Sequence, residues 1–363
     1  MTRRLKIAIY TMAKNEAAHV ARFAAATHGA DLVVVTDTGS TDGTPDLLRD
    51  HGITVQTAHV SPWRFDTGTN CALCHVPDDI DICVKLDLDE VIHSVDGSPW
   101  RDELDRLWTG GVNQLKYWYT WSWHVPGQVP AVRFRTSNVH SRNGFIWRHP
   151  GHAALYNTQD GKSADARNFE IHHYMVNKGR PNYLPLLQLA VKENRCARTL
   201  FYLGREYAFR RMHAECINTL SEYLVLKDAV WKAERSNAMR HIAVAYEQLG
   251  DANMALSWLM RGHGEYPGVR DMWWETLRYF HDQGDFLGGY WAGIKCLSIT
   301  ARDNEWTSHT AEAWREEPFI LTAKCARHIG QLDTAVNLLR QGMQLNPDSK
   351  MGREFALTAG IEL

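Results

Sequence analysis

Val84-Lys85-Leu86-Asp87-Leu88-Asp89-Glu90 carries the strongest structural signal in the chain. It closes a run that begins at Ile80 and reads as a strand buried on both faces, as in a parallel sheet. The run then ends in carboxylates. In open α/β sheets, ligands bind outside the carboxyl ends of the strands. Residues two apart on an extended chain face the same way, so Asp87 and Asp89 are expected to converge on one ligand or cation. Like charges that close cost free energy unless a cation offsets them. Hard divalent ions such as Mg²⁺ take oxygen ligands and bridge carboxylates to phosphates. The plainer reading is a solvated acidic turn.

The sequence upstream alternates strand and helix signals. Lys6–Tyr10, Leu32–Val35 and Ile53–Val55 read as strands, and 15–27, 44–51 and 66–76 as helices. That alternation means βαβ crossovers and a mostly parallel sheet. A second loop, Thr36-Asp37-Thr38-Gly39-Ser40-Thr41-Asp42-Gly43-Thr44-Pro45, also follows a buried strand and opens a helix. Its glycines allow tight turns and close approach to a ligand, and Ser40, Asp42 or Thr44 can cap the helix. Both loops belong at one sheet edge. A nucleotide base and ribose can rest on one, and phosphates on a metal held by the other.

After residue 110 the pattern changes. Tyr117-Trp118-Tyr119-Thr120-Trp121-Ser122-Trp123, Ala131–Arg135 and Gly144–Trp147 are β-like and are expected to close the sheet in antiparallel fashion. On an unbroken strand Tyr117, Tyr119, Trp121 and Trp123 share a face, with Trp118 and Thr120 on the other. Such rings fill cores or stack on sugars and bases. From residue 181 the chain is helical to its end. Similar segments recur at Tyr202–Ala208, His241–Asp251 and Ala326–Gln331, and Gly284 follows Gly250 by 34 residues. A Gly-containing turn between amphipathic helices at that period is the tetratricopeptide signature. Such helix pairs stack and share a core.

Composition narrows the class. Forty Lys and Arg against 42 Asp and Glu give a net charge of −2 over 363 residues, which argues against a strongly basic nucleic-acid binder. No apolar run approaches the ~18 residues of a membrane span. Seven scattered cysteines fit buried thiols in a reducing, cytoplasmic setting. Cys71 and Cys74 are the one close pair, with no second pair to complete a zinc site. Arg205, Arg210, Arg211 and His213 form a local basic patch that can grip an acidic peptide or a phosphate backbone, or be a solvated helix face.

Taken in order, Met12-Ala13-Lys14-Asn15-Glu16, the Asp37–Thr44 loop and Leu86-Asp87-Leu88-Asp89-Glu90 resemble the family 2 glycosyltransferases of GT-A fold. Arg133-Phe134-Arg135, Gly151-His152, Ile171-His172-His173-Tyr174, Arg180 and the helical repeats resemble the bacterial members that carry tetratricopeptide repeats, near the peptide S-glycosyltransferases. The resemblance implies an α/β, GT-A (Rossmann-like) mixed-sheet domain over 1–178 and an all-α repeat domain over 179–363. It implies inverting transfer of a sugar from a nucleotide sugar, usually a UDP-sugar, with Mn²⁺ or Mg²⁺. Carried over, Asp37 contacts the base, Thr11 and Glu16 flank the nucleotide, and Asp87 lies near ribose and metal. Asp89 of the Asp-x-Asp motif ligates the metal, and His173, in preference to His172, returns to it. A divalent ion offsets charge on a departing diphosphate, and inversion needs a general base near the acceptor.

Two departures matter. Thr69 stands where relatives have an Arg, leaving Arg64 as the substitute cation. Ala153 stands where relatives have a Glu, leaving His152, His149 or Glu90 as the base; a His titrating near 6.5 suits that role. A peptide or protein is the first acceptor expected and a modified DNA base the second, with a glycan or lipid third. A homodimer through the repeats is a further expectation. The rival reading is a non-catalytic repeat scaffold with a degenerate transferase domain.

Overall fold

The computed structural model describes residues 4–125, 127–175, 182–301 and 310–362. Arg180 lies outside the described residues. The chain forms two compact units, Met1–Glu193 and Asn194–Leu363. The division falls one helix later than the 178/179 boundary expected from the sequence, because the helix Leu184–Glu193 groups with the first unit.

The first unit runs β1 (Ile7–Ala13), a 3-10 turn at Ala17–His19, α1 (Val20–Ala26), β2 (Leu32–Asp37), α2 (Thr44–Asp50), β3 (Thr54–Thr57), α3 (Phe65–Cys74), β4 (Ile82–Lys85), β5 (Glu90–Ser94), α4 (Trp100–Leu107), β6 (Val112–Val125), β7 (Val129–Ser141), β8 (Phe145–Arg148), β9 (Ala154–Asn157), β10 (Lys162–His173) and α5 (Leu184–Glu193). One sheet has the order β3-β2-β1-β4-β7-β6-β10-β5, and β8 and β9 make a separate hairpin. The first four strands are parallel. Antiparallel β7 joins them to β6, parallel β10 follows, and antiparallel β5 ends the sheet. Ile7, Ile9, Ile82 and Val84 of the central strands are fully buried, as two-sided coverage requires.

Two local readings differ from the structure. β4 ends at Lys85, so Asp87 and Asp89 sit in the tight connection to β5, closed by Glu90 N–H donating to the Asp87 carbonyl at 2.9 Å. The alternation nonetheless persists. Leu86 and Leu88 are buried and the two aspartates face outward. On β6 the register shifts on both sides of Ser122. An irregularity of that kind turns later side chains to the other face. Trp121 accordingly stacks on His173, while Trp123 packs against His172 and Tyr174.

Among the described residues the second unit is all helix: α6 (Ala197–Phe209), α7 (His213–Val225), α8 (Lys232–Gln248), α9 (Ala252–Glu265), α10 (Arg270–Asp282), α11 (Phe286–Ser298), α12 (Glu317–His328), α13 (Leu332–Leu345) and α14 (Lys350–Ala359), with a 3-10 turn at Ala311–Trp314. Helices pair as α6–α7, α8–α9, α10–α11 and α12–α13. Gly250, Gly284 and Gly330 close the first helices of the last three pairs at φ 83, 75 and 81, the left-handed position that ends a helix. Arg211 holds the same place in the first pair at φ 58. An α/β unit followed by tetratricopeptide-like repeats is therefore the architecture. Among the described residues no helix is long and apolar enough to cross a membrane. All seven cysteines are free, and burial pushes Cys83, Cys216, Cys296 and Cys325 up to about 12.

Candidate active site

The site is built at the carboxyl edge of the parallel strands. β1 pairs Ala13 with Asp37 of β2 on one side and Tyr10 with Lys85 of β4 on the other. That register brings the Asp37 loop and the Asp87–Glu90 turn to the same end of β1. Thr11, fully buried, donates its hydroxyl to Asp87 Oδ1 at 2.9 Å. Lys85 is ion-paired with the other Asp87 oxygen. Burial, the strongest influence on Lys85, opposes its charge, but Asp87, Glu90 and Asp89 outweigh it and its pKa is raised.

Glu90 is buried, and both its oxygens are engaged. Oε2 accepts the Asp87 backbone N–H at 2.8 Å and Oε1 the Tyr119 hydroxyl at 2.7 Å. Burial, then the neighbouring Asp87, raises its pKa. A base must reach the acceptor's proton. In this geometry Glu90 holds the turn through both oxygens.

Asp89 meets His173. The imidazole Nε2 lies 3.0 Å from Asp89 Oδ2, and Nδ1 lies 2.9 Å from the Trp121 carbonyl. Both partners are acceptors, so both ring nitrogens donate and the ring is charged. Burial works hardest against that charge, yet Asp89 and the Trp121 carbonyl bring His173 up to about 9. Asp89 resists the same burial through His173, Lys85 and His19, and its pKa is lowered. The alternation of β10 sends His172 to the opposite face, where Glu170 holds it at 3.1 Å and Arg133 pairs with the same carboxylate.

Asp37 is 5% exposed and shapes its own loop: Gly39 and Ser40 N–H groups donate to it at 3.0 and 3.1 Å. Asn15 ties the β1 loop to this one through Thr41 N–H at 2.8 Å and through its own N–H to Ser40 Oγ at 2.9 Å. Glu16 donates its N–H to Thr44 Oγ1 at 2.9 Å and sets its carboxylate 3.6 Å from His19. A Cβ on Gly39 or Gly43 would meet nothing within 4 Å, so the loop borders open space.

The remaining candidates come from other elements. His152, at φ 50 on the β8–β9 loop, stacks on Tyr183 at 5.2 Å, and Tyr183 in turn packs on Phe65. His149 bonds the Tyr156 hydroxyl at 2.7 Å. Arg64 is held by Asp66 through two bonds and by Glu193, which commits the cation offered in place of the missing Arg. Thr69 spends its hydroxyl on the Phe65 carbonyl at 2.8 Å. Sequence reading missed Lys85, and it left open which rings of the β6 cluster pack in the core and which stay exposed. A Lys interrupting an apolar strand two residues before a carboxylate was the available signal for Lys85.

Among the described residues no group of three or more His, Cys, Asp and Glu side chains is placed to hold a metal. Asp89 and His173 offer one oxygen and one nitrogen at 3.0 Å. Such a pair fits a divalent ion whose other ligands are waters and substrate phosphates, once the proton that now bridges the two is displaced.

No family model matches the chain, and no curated protein matches its sequence. Several solved structures are similar over about half of it. Pseudomonas aeruginosa pilF is 15% identical, with 48% of this chain and 72% of that chain covered and a TM-score of 0.39. PilW, a type IV pilus biogenesis factor, is 15% identical over 47% and 72%, with a TM-score of 0.40. YrrB, a TPR protein with an unusual peptide-binding site, is 12% identical over 47% and 80%, with a TM-score of 0.36. Likeness at these scores carries nothing about this chain's activity.

Proposed function

We propose that the first unit is a divalent-metal-dependent, inverting glycosyltransferase that uses a nucleotide sugar, in the first instance a UDP-sugar, and that the repeats hold a peptide or protein acceptor. The observation that carries this reading is one connected set, Thr11–Asp87–Lys85 and Glu90–Tyr119 beside Asp89–His173, at the carboxyl edge of a mixed sheet. In it Asp89 and His173 hold the ion, which when bound offsets charge developing on the departing diphosphate. The Asp37 loop receives the base, Asp87 the ribose, and Thr11 and Glu16 flank them. Glu90 and Tyr119 fix the turn that aims Asp89. An acceptor lone pair forms the bond to the anomeric carbon, the C1–O bond breaks with its electrons on the nucleoside diphosphate, and the acceptor proton goes to a base. With Glu90 engaged, His152 is the residue assigned to that last role.

One observation favours a second reading. Lys85 and His173 already neutralise the carboxylates from within, so the cluster is stable without an ion, as a degenerate domain carrying a repeat scaffold would be. Incubation with UDP-sugars and Mn²⁺, followed by assay of sugar transfer or hydrolysis, separates the two. Turnover in the wild type and a loss of roughly 100-fold in Asp89→Ala support the transferase. Full turnover in Asp89→Ala overturns the metal role, and a wild type that binds no nucleotide with Mn²⁺ moves the assignment to the scaffold.

A further inference from the structure

Five aromatic rings line β6 between Tyr117 and Trp123, and the structure accounts for four. Tyr117 is 1% exposed and packs edge-on to Phe169 in the core. Trp118 lies beneath the guanidinium groups of Arg133 and Arg135, at 4.4 and 5.5 Å. Tyr119 spends its hydroxyl on Glu90. Trp123 is stacked on Tyr174 at 5.7 Å and donates its indole N–H to the His173 carbonyl at 2.9 Å.

Trp121 is different. The residue is 44% exposed, which gives up much of the apolar burial that such a large side chain offers. One side is set by the His173 imidazole, near-parallel at 27° and 6.3 Å between centroids. Its carbonyl anchors the same imidazole, whose other nitrogen is 3.0 Å from Asp89. An open indole therefore stands one residue away from the atoms assigned to the diphosphate-bound ion.

We propose that Trp121 is the platform on which the transferred pyranose of the nucleotide sugar packs its C–H face. This rests on the nucleotide-sugar reading above. The anomeric carbon is one oxygen from the terminal phosphorus of the diphosphate, so a diphosphate held at Asp89 and His173 places the sugar ring within reach of a flat apolar surface beside them. Pyranoses carry such a face, and an indole supplies the matching one without demanding a particular hydroxyl pattern. Trp121 thus selects for a sugar on the diphosphate rather than for the nucleotide.

The test is calorimetric titration of UDP and of UDP-glucose, each with Mn²⁺, into the full-length wild type, Trp121→Ala and Trp121→Phe. Unfolding midpoints are recorded alongside to confirm that each variant is folded. The expected result is UDP binding unchanged in both variants, UDP-glucose binding weakened roughly tenfold in Trp121→Ala, and most of that loss restored in Trp121→Phe. Equal weakening of UDP and UDP-glucose would show that the ring acts only by supporting His173 and would overturn the proposal. Unchanged UDP-glucose binding in Trp121→Ala would do the same while leaving the nucleotide-sugar reading intact. A wild type that binds neither compound removes that reading, and the platform with it.

Discussion

His140 and His173 are both largely buried imidazoles of one sheet, yet their surroundings drive them in opposite directions. His140, on β7, receives a hydrogen bond at Nε2 from the Tyr10 hydroxyl at 2.8 Å and donates from Nδ1 to the Ser141 carbonyl at 2.7 Å. Tyr10 in turn accepts the Trp147 indole N–H at 2.8 Å. One acceptor and one donor role satisfy a neutral ring, and burial lowers its pKa to about 4. His173 faces two acceptors, one of them a carboxylate, and rises to about 9 despite burial. In the interior, Tyr10, His140, Trp147 and the Ser141 carbonyl satisfy one another. The carboxyl edge assembles charge beside open space, which is the arrangement expected of a ligand site.

The comparison breaks most visibly at Tyr10. Tyr10→Phe leaves His140 Nε2 and Trp147 Nε1 buried without their shared partner, at about 1–3 kcal/mol each. We expect a loss of about 4 kcal/mol in chemical denaturation. A loss below 1 kcal/mol would mean that water reaches this interior and that the contrast with the edge is false.

The two rings should also show opposite pH windows in the metal-free protein. His140 has a depressed folded pKa, so its contribution is present above 6.5 and is lost as pH falls toward about 4, where the unfolded chain takes up a proton the folded chain refuses. The span from 6.5 to about 4 corresponds to about 3 kcal/mol. His173 has a raised folded pKa, so its contribution is complete below 6.5 and is lost as pH rises toward about 9. Denaturation across pH 4 to 9 on His140→Gln and His173→Gln should remove the acid-side slope from the first and the alkaline-side slope from the second. Identical changes in the two variants would contradict the assignment.

The smallest effect lies in the repeats, where the contrast is one of backbone. Three helix pairs place Gly at the left-handed closing position and the first places Arg211 there. Arg211→Gly should raise stability by about 1 kcal/mol, read as a higher denaturant midpoint with unchanged slope. A fall in stability would show that the Arg211 side chain holds more than its backbone costs.

These residues also show what the sequence made legible. Strand–helix alternation and the Gly-turn period fixed the two architectures, because each is written in local periodicity. Asp37, Asp87 and Asp89 stand out as candidates in the sequence because carboxylates close or directly follow apolar strands. The faces of Trp121 and Trp123 were misread because a register shift at Ser122 has no local signature. Arg64 reads in the sequence as a cation available to a phosphate, because Glu193 is 129 residues away and meets it only in the fold. The hydrogen bond from Tyr119 to Glu90 is likewise invisible in the sequence, since 29 residues separate the two and only the sheet brings them together.

The central claim is that Asp89 and His173 form a cation-dependent diphosphate site. Calorimetric titration of UDP into the wild type, with and without Mn²⁺, tests it most directly. Heat of binding should require Mn²⁺ and disappear in Asp89→Ala. UDP binding of equal strength without the metal, or retained in Asp89→Ala, would contradict it.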